Sequence, residues 1–444
     1  MKIIPKRNYL FLLCMCLVLM FTLMACGKSE KNDNTVVDSN NALNDESNND
    51  VNDNDNDDVD GDEKSNDAVE ETDSEEPIEE PEKEPNLFLE KYQETGELPS
   101  LAELYKDKFY VGVALAQIDF SKVKKDLVAS QFNSLTCENE MKPDAVLDRN
   151  ATIALGDEES VAINMNRALP AILFAEENGI KIRYHTLVWH AQTPDWFFNV
   201  GFKDGGERVT RDVMIARMES FIREVMEYMN TNHPGLIYAW DVVNEAISPG
   251  DGREDGIRVT DNRWFEVVGP DYVELAFTFA RKYAAEDQKL FYNDYQTYNK
   301  SKMFYLIKMI EDLQEKGLID GIGMQDHMDL TTPGILDYQY TINKYTDMGL
   351  EIQVTELDIN TTDNSEEGQK KLASRYKAIM TIILNCIERN DSKITSITLW
   401  GLSDNRSWLN QPGTPNYPLL FDKDLNPKYS YFGMAMDDSI SIAY

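Results

Sequence analysis

RDVMIARMESFIREVMEYMN (residues 211–230) is followed closely by IYAWDVVNEA (residues 237–246), and together they decide the fold. In the first, Met214, Met218, Phe221, Ile222, Val225 and Met229 recur at intervals of three, four and one. That spacing lays one apolar stripe along a helix, charges opposite, and reads as core packing rather than a cofactor site. In the second, apolar residues run almost unbroken, as in a strand buried on both faces. The run stops at Asn244 and Glu245, an amide beside an acid where turn residues are usual.

The same alternation recurs on both sides. YVGVAL near 110, FNSLTC near 132 and IRYHTLVW near 182 precede this unit. LFYND near 290, IGMQDH near 322, IQVTEL near 352 and ITSITLW near 394 follow it. Eight strand candidates with helix-length material between most of them predict an α/β fold, a (β/α)₈ barrel, over residues 87–444. Such barrels take about 250 residues, more with insertions.

Ahead of the barrel the chain changes character. Lys2, Lys6 and Arg7 precede an apolar run from Tyr9 to Ala25, which reads as an export signal over residues 1–25. LMAC, Leu23 to Cys26, resembles the bacterial lipobox, which implies a lipidated N-terminus at Cys26 and residence on the outer face of the cell membrane. Residues 26–86 read as a disordered acidic tether. Between Ser29 and Pro85 there are 23 Asp and Glu against 3 Lys, and no aromatic residue. Such a stretch cannot bury enough apolar surface to offset its ordering entropy. The net charge of −36, with no basic stripe, excludes a nucleic-acid partner. Of five cysteines, Cys14, Cys16 and Cys26 belong to the signal region, and Cys137 and Cys386 are expected as separate buried thiols.

In a (β/α)₈ barrel the loops after the strands form the pocket, so reactive groups gather at the strands' C-terminal ends. Those ends hold Glu138, Asn139, Glu140 and Lys142 at the second strand, and His185, Trp189, His190 and Gln192 at the third. Asn244 and Glu245 end the fourth; Asn293, Asp294 and Tyr295 the fifth; Gln325 and His327 the sixth. Glu356 and Asp358 end the seventh, and Trp400 and Asp404 the eighth, with Trp408 beyond. Carboxylates, amides, His and Trp without a Gly-rich phosphate loop suit a neutral polyol. Two carboxylates from separate strands can flank a glycosidic bond, one protonated to serve the leaving oxygen and one ionised to attack the anomeric carbon. A metal site lacks its ligand spacing, a serine nucleophile lacks G-x-S-x-G, and no cofactor is expected. Glu245 taken alone reads equally as an ion-paired structural acid; the whole ring of polar strand ends argues for chemistry.

The body, about residues 88–436, resembles glycoside hydrolase family 10, the retaining endo-β-1,4-xylanases. FNSLTCENEMKPDA, RYHTLVWHAQTPDWF, WDVVNEA, YNDY, DGIGMQDH, VTELDI, LWGLSDNRSW and PLLFD follow one another in family order. The resemblance implies Glu245 as acid/base and Glu356 as nucleophile, with Asn244 on the sugar 2-hydroxyl. It implies His327 bonded to Glu356 and steadied from behind by Asp358. Glu138, Asn139, Lys142, His185, Trp189, Gln192 and Gln325 are similar to the family's sugar contacts. Trp400 and Trp408 would close over the site and crowd the hydroxymethyl group of glucose. Tyr295, with Asp294, is carried over as a neighbour of the acid/base. Asp404 is expected to structure its loop, and His190 to be a packing histidine with its hydrogen bonds satisfied. The implied partners are xylan and xylo-oligosaccharides, met by a monomer. A β-1,4-glucanase and a non-catalytic surface polysaccharide-binding lipoprotein are the alternatives.

Because adjacent strand residues point to opposite faces, Asn244 and Glu245 reach one sugar only if the strand bulges or bends between them. The chain departs from the family pattern at Tyr184, Pro143 and Cys137, and in a longer, polar connection over residues 148–166.

Overall fold

The computed structural model describes residues 85–119 and 122–442. The expected signal peptide, Cys26 and nearly all of the acidic tether lie outside the described residues. Among the described residues ten strand segments are formed: β1 (Tyr110–Leu115), β2 (Ser134–Cys137), β3 (Lys181–Tyr184), β4 (Val188–Trp189) and β5 (Ile237–Asn244), then β6 (Lys289–Asp294), β7 (Gly321–Met324), β8 (His327–Asp329), β9 (Glu351–Asn360) and β10 (Ile394–Leu399). Every pairing among them is parallel, and β10 pairs with β1 to close the sheet. β4 continues the stave begun by β3, since both pair with β5; β8 likewise continues β7 against β9. The result is the eight-stave (β/α)₈ barrel that the strand pattern predicts.

The helix read over 211–230 runs from Arg211 to Asn232, with the Thr210 hydroxyl accepting from the Val213 amide at its start. Its apolar stripe is fully buried at Met214, Met218, Phe221, Ile222 and Val225, each worth about 1.5–3 kcal/mol against exposure.

Inside the barrel, polar groups meet across the axis. Arg183 on β3 pairs in bidentate fashion with Asp241 on β5, and its Nε donates to Gln353 Oε1 on β9 at 2.8 Å. Gly323 on β7 leaves room for this layer; a Cβ there would run into the Asn293 carboxamide and the Arg183 guanidinium. The departures from the family pattern are absorbed locally. Tyr184 is fully buried against Trp240, with ring centroids 4.7 Å apart. Pro143 opens the short helix Pro143–Val146, where its missing N–H costs nothing. The 148–166 connection folds back on the barrel: Asp148 caps the helix Arg149–Leu155, and Glu158 receives Arg217 at 2.6 Å. Cys137 and Cys386 are separate buried thiols.

Candidate active site

The acid that ends β5 is aimed by its backbone. Glu245 has φ 57°, a left-handed conformation that costs a non-glycine residue about 1–3 kcal/mol. Its amide donates to the Asn293 carbonyl at 2.9 Å, and its own carbonyl accepts from Arg258 Nε at 2.9 Å. The departure expected at Asn244–Glu245 is therefore a change of backbone hand at Glu245. The bulge itself lies upstream, where β5 slips against β6 between Asp241 and Val243, while Asn244 and Asn293 stay in register. Gln192, Gln296 and Asp326, also at strand ends, share the positive φ. Strain of this kind concentrates where a fold holds side chains for function.

The carboxylates of Glu245 and Glu356 sit in different surroundings. Glu245 accepts from the Trp189 indole at 3.1 Å and from the Gln325 amide at 2.9 Å, both neutral donors. Glu356, on β9 and 5% exposed, accepts from Asn293 Nδ2 at 2.8 Å on one oxygen and faces His327 Nε2 at 3.2 Å on the other. The second imidazole nitrogen lies 3.0 Å from Asp358, whose other oxygen receives the Trp408 indole at 2.8 Å. Burial opposes charge on His327, but Asp358 and Glu356 outweigh it and push its pKa up to about 10. Burial likewise pushes Glu356 up, yet the His327 hydrogen bond, His185 and the Asn293 amide together hold it down at about 2. The pair is a buried carboxylate facing an imidazolium.

The remaining strand ends form the walls. Lys142 Nζ donates to Gln192 at 2.9 Å and to Asn139 at 3.3 Å, and stands 4.9 Å above the Trp189 ring. Burial raises the carboxyl of Glu138, with Lys142 pulling the other way. His185 is anchored through Nδ1 to Asp241 at 2.9 Å, with Trp400 edge-on to its ring at 5.5 Å. Trp408 lies edge-on to His327 at 4.9 Å and is half exposed. The Asn244 amide sits between those of Asn293 and Gln325, at 3.0 and 3.3 Å.

Residues 100–436 match the profile of Glycosyl hydrolase family 10. The chain belongs to that family. It is 40% identical over 350 residues to Endo-1,4-beta-xylanase B of Butyrivibrio fibrisolvens, covering 77% of this chain and 54% of the relative. It is also 40% identical to Endo-1,4-beta-xylanase A of Thermotoga maritima, covering 76% and 31%. The chain thus spans about half or less of the length of these relatives. Among solved structures, the CBM22-1-GH10 modules of Clostridium thermocellum endo-1,4-beta-D-xylanase 10B, complexed with xylohexaose, align with a TM-score of 0.70 at 35% identity. That alignment covers 78% of this chain and 70% of the other. An intracellular xylanase of Thermoanaerobacterium saccharolyticum, complexed with xylotetraose, aligns at 0.66 and 32% identity, over 76% and 98%.

In this family 10 barrel three positions do more than their place in the sequence suggests. Asn293 ties Asn244 to Glu356 through one amide nitrogen, although only its position at a strand end marks it. Asp241 holds both Arg183 and His185 from inside an apolar run. Arg258 reaches back 13 residues from a loop without periodicity, to the Glu245 carbonyl and, at 3.0 Å, to the Tyr295 hydroxyl. Tyr295 is therefore linked to the Glu245 main chain by two hydrogen bonds, through Arg258. Asp294 is buried in a pair with Lys302 at 2.6 Å, and Asp404 structures its loop through Lys428 and the Leu419 amide. His190 departs from expectation: its Nδ1 is buried with no partner among the described residues. Burial, then the charge of Arg258, holds its pKa down at about 4, so the ring packs neutral against Trp189.

Proposed function

We propose that this chain is an endo-acting, retaining β-1,4-xylanase working by double displacement. One observation carries the assignment of roles: of the two acids, Glu356 is bonded to an imidazolium and Glu245 only to neutral donors. Two carboxylates whose environments differ in this way divide acid and nucleophile between them. Glu356, held ionised, attacks the anomeric carbon as Glu245 gives its proton to the leaving glycosidic oxygen, forming a glycosyl-enzyme. Glu245, now a carboxylate, takes a proton from water, which displaces Glu356 and returns the original configuration. Family membership and the xylanases among the relatives support the substrate class.

The test is sugar release from unbranched xylan and from carboxymethyl cellulose, side by side, by the full-length protein. Xylo-oligosaccharides of mixed length from xylan, with little from cellulose, are expected. Comparable release from both would replace xylanase by a broader β-1,4-glucanase, and none from either, by folded protein, would sink the enzymatic reading.

The lipobox-like LMAC and the acidic stretch behind it support a further proposal, that the enzyme is held at the cell surface by a lipid on Cys26. Labelled palmitate should enter the wild-type protein and not Cys26→Ala; equal labelling of both would dismiss the anchor.

A further inference from the structure

The loop that follows β10 and carries Trp408 also lines, through Asp404, Asn405 and Asn410, a cavity of about 640 Å³. None of its walls is a residue assigned above to sugar binding or catalysis. It is closed by the first described helix, Phe88–Thr95, through Leu89 and Tyr92, and by the helix Tyr429–Met434. Pockets of this size hold small ligands, and their few placed polar groups report the chemistry of the occupant.

Those groups point to a neutral one. Lys428 is used up by Asp404 at 2.8 Å and by the carbonyls of Tyr417 and Leu419, and Lys423 by Asp424 at 2.6 Å. Asp422 receives the amides of Asp424 and Asn426. Both lysines already face carboxylates and the Asp422 carboxylate is filled by amides, so none of these groups is left open to an ionic ligand. What remains is amide. Gln369, 8% exposed, donates to Asn364 at 3.1 Å, but its Oε1 is buried without a partner among the described residues. A buried acceptor left open is costly, and rare without a missing partner. Asn405 spends its oxygen on the Ser403 hydroxyl, which leaves its amide nitrogen for a ligand. Around these polar groups stand the rings of Tyr92, Tyr417, Tyr429 and Phe432. Aromatic faces beside amides suit a ligand that alternates C–H surface with hydroxyls.

We propose that this cavity is a second binding site for a β-1,4-linked xylo-oligosaccharide, outside the catalytic cleft, with Tyr429 as a stacking surface and Gln369 Oε1 and Asn405 as hydroxyl partners. The proposal rests on the xylan reading above. It gives the polymer a second hold on the enzyme, next to the loop whose Trp408 bonds Asp358. Two linked contacts on one chain raise its local concentration at the cleft, so the site favours long substrates over short ones.

The experiment titrates xylohexaose into the full-length protein carrying Glu356→Ala, which removes turnover, and then into the same background with Tyr429→Ala or Gln369→Leu. Two classes of site are expected in the first and one in each of the others. In the active enzyme, both substitutions should lower kcat/KM on polymeric xylan by about threefold to tenfold, the worth of one aromatic contact. Turnover of an aryl xylobioside, too short to bridge the sites, should stay unchanged and so report intact folding. Gln369→Leu removes the unpartnered acceptor, so a structural role alone would leave binding untouched. A wild type that hydrolyses xylan while the Glu356→Ala protein shows a single class overturns this proposal alone. Persistence of both classes in the two variants also overturns it. A wild type that releases nothing from xylan overturns the functional reading and this site with it.

Discussion

Arg258 Nε donates to the main-chain carbonyl of Glu245 at 2.9 Å, and so holds a residue whose φ of 57° would otherwise relax. The acid's reach into the cleft depends on that backbone conformation. Removing the clamp should therefore misplace Glu245 without touching the wall built on Lys142 and Gln192. Arg258→Ala is expected to lower kcat on xylan by on the order of 100-fold, the cost of about 1 Å of misplacement, with KM little changed. Steady-state kinetics separate the two; a change confined to KM would remove Arg258 from this role.

The two acids should fail differently. Glu245→Ala removes the proposed proton donor, so substrates with poor leaving groups should lose about 10²–10⁴ in rate while activated aryl glycosides lose less. Glu356→Ala removes the proposed nucleophile and should stop turnover of both kinds. Rates for a series of aryl xylobiosides against leaving-group pKa give the answer. A slope unchanged in Glu245→Ala would contradict its assignment.

Stability should carry the signature of the His327–Glu356 pair. Glu356 is held down at about 2 against an ordinary 4.5, so its contribution is present above pH 4.5 and lost as pH falls toward 2. His327 is pushed up to about 10 from an ordinary 6.5, so its contribution is full below pH 6.5 and lost as pH rises toward 10. Both are complete between pH 4.5 and 6.5. His327→Gln should cost most Tm in that window and progressively less above it. In kcat/KM, the acidic limb assigned to Glu356 should move up toward 4.5 in the variant. A Tm difference flat from pH 4 to pH 10 would mean that the pair is not charged as described.

Lys302 and Asp294 form a buried pair beneath the Tyr295 ring. Burial pushes Asp294 up to about 6 even with Lys302 pulling it down. Lys302→Ala leaves that carboxylate without its counter-charge, with only the Tyr292 hydroxyl and the Tyr295 amide as donors, and at pH 8 should cost about 3–5 kcal/mol in urea unfolding. Because Asp294 sits above its ordinary 3.8, the folded state binds its proton more readily than the unfolded chain, and the deficit should shrink at pH 5. Equal deficits at both values would point to lost packing instead.

The barrel was legible in the chain because its signals are local. A stripe such as Met214 to Met229 and a run such as Ile237 to Val243, broken only by Asp241 and Tyr238, each state their own burial. Polar residues at the ends of such runs could be found in the same way, and the structure brings Glu138, Lys142, Gln192, Glu245, Gln325, His327 and Glu356 to one mouth. His190 was misjudged because its burial is visible in the pattern but its lack of a partner is not. The departure expected at Asn244–Glu245 is there, as the left-handed backbone of Glu245, while the additional bulge between Asp241 and Val243 was not foreseen, because hydrophobicity does not record which residue of a strand is left over.

By itself, then, the sequence determined the eight-stave architecture, the family, and the pair of acids at the fourth and seventh strand ends. Periodicity and strand-end chemistry depend only on neighbours along the chain. Tertiary structure alone decided how each acid is held: Arg258 behind Glu245, Asn293 across to Glu356, and His327 between Glu356 and Asp358. These partners come from separate loops and strands, and a hydrogen bond depends on a distance in space that no spacing along the chain specifies.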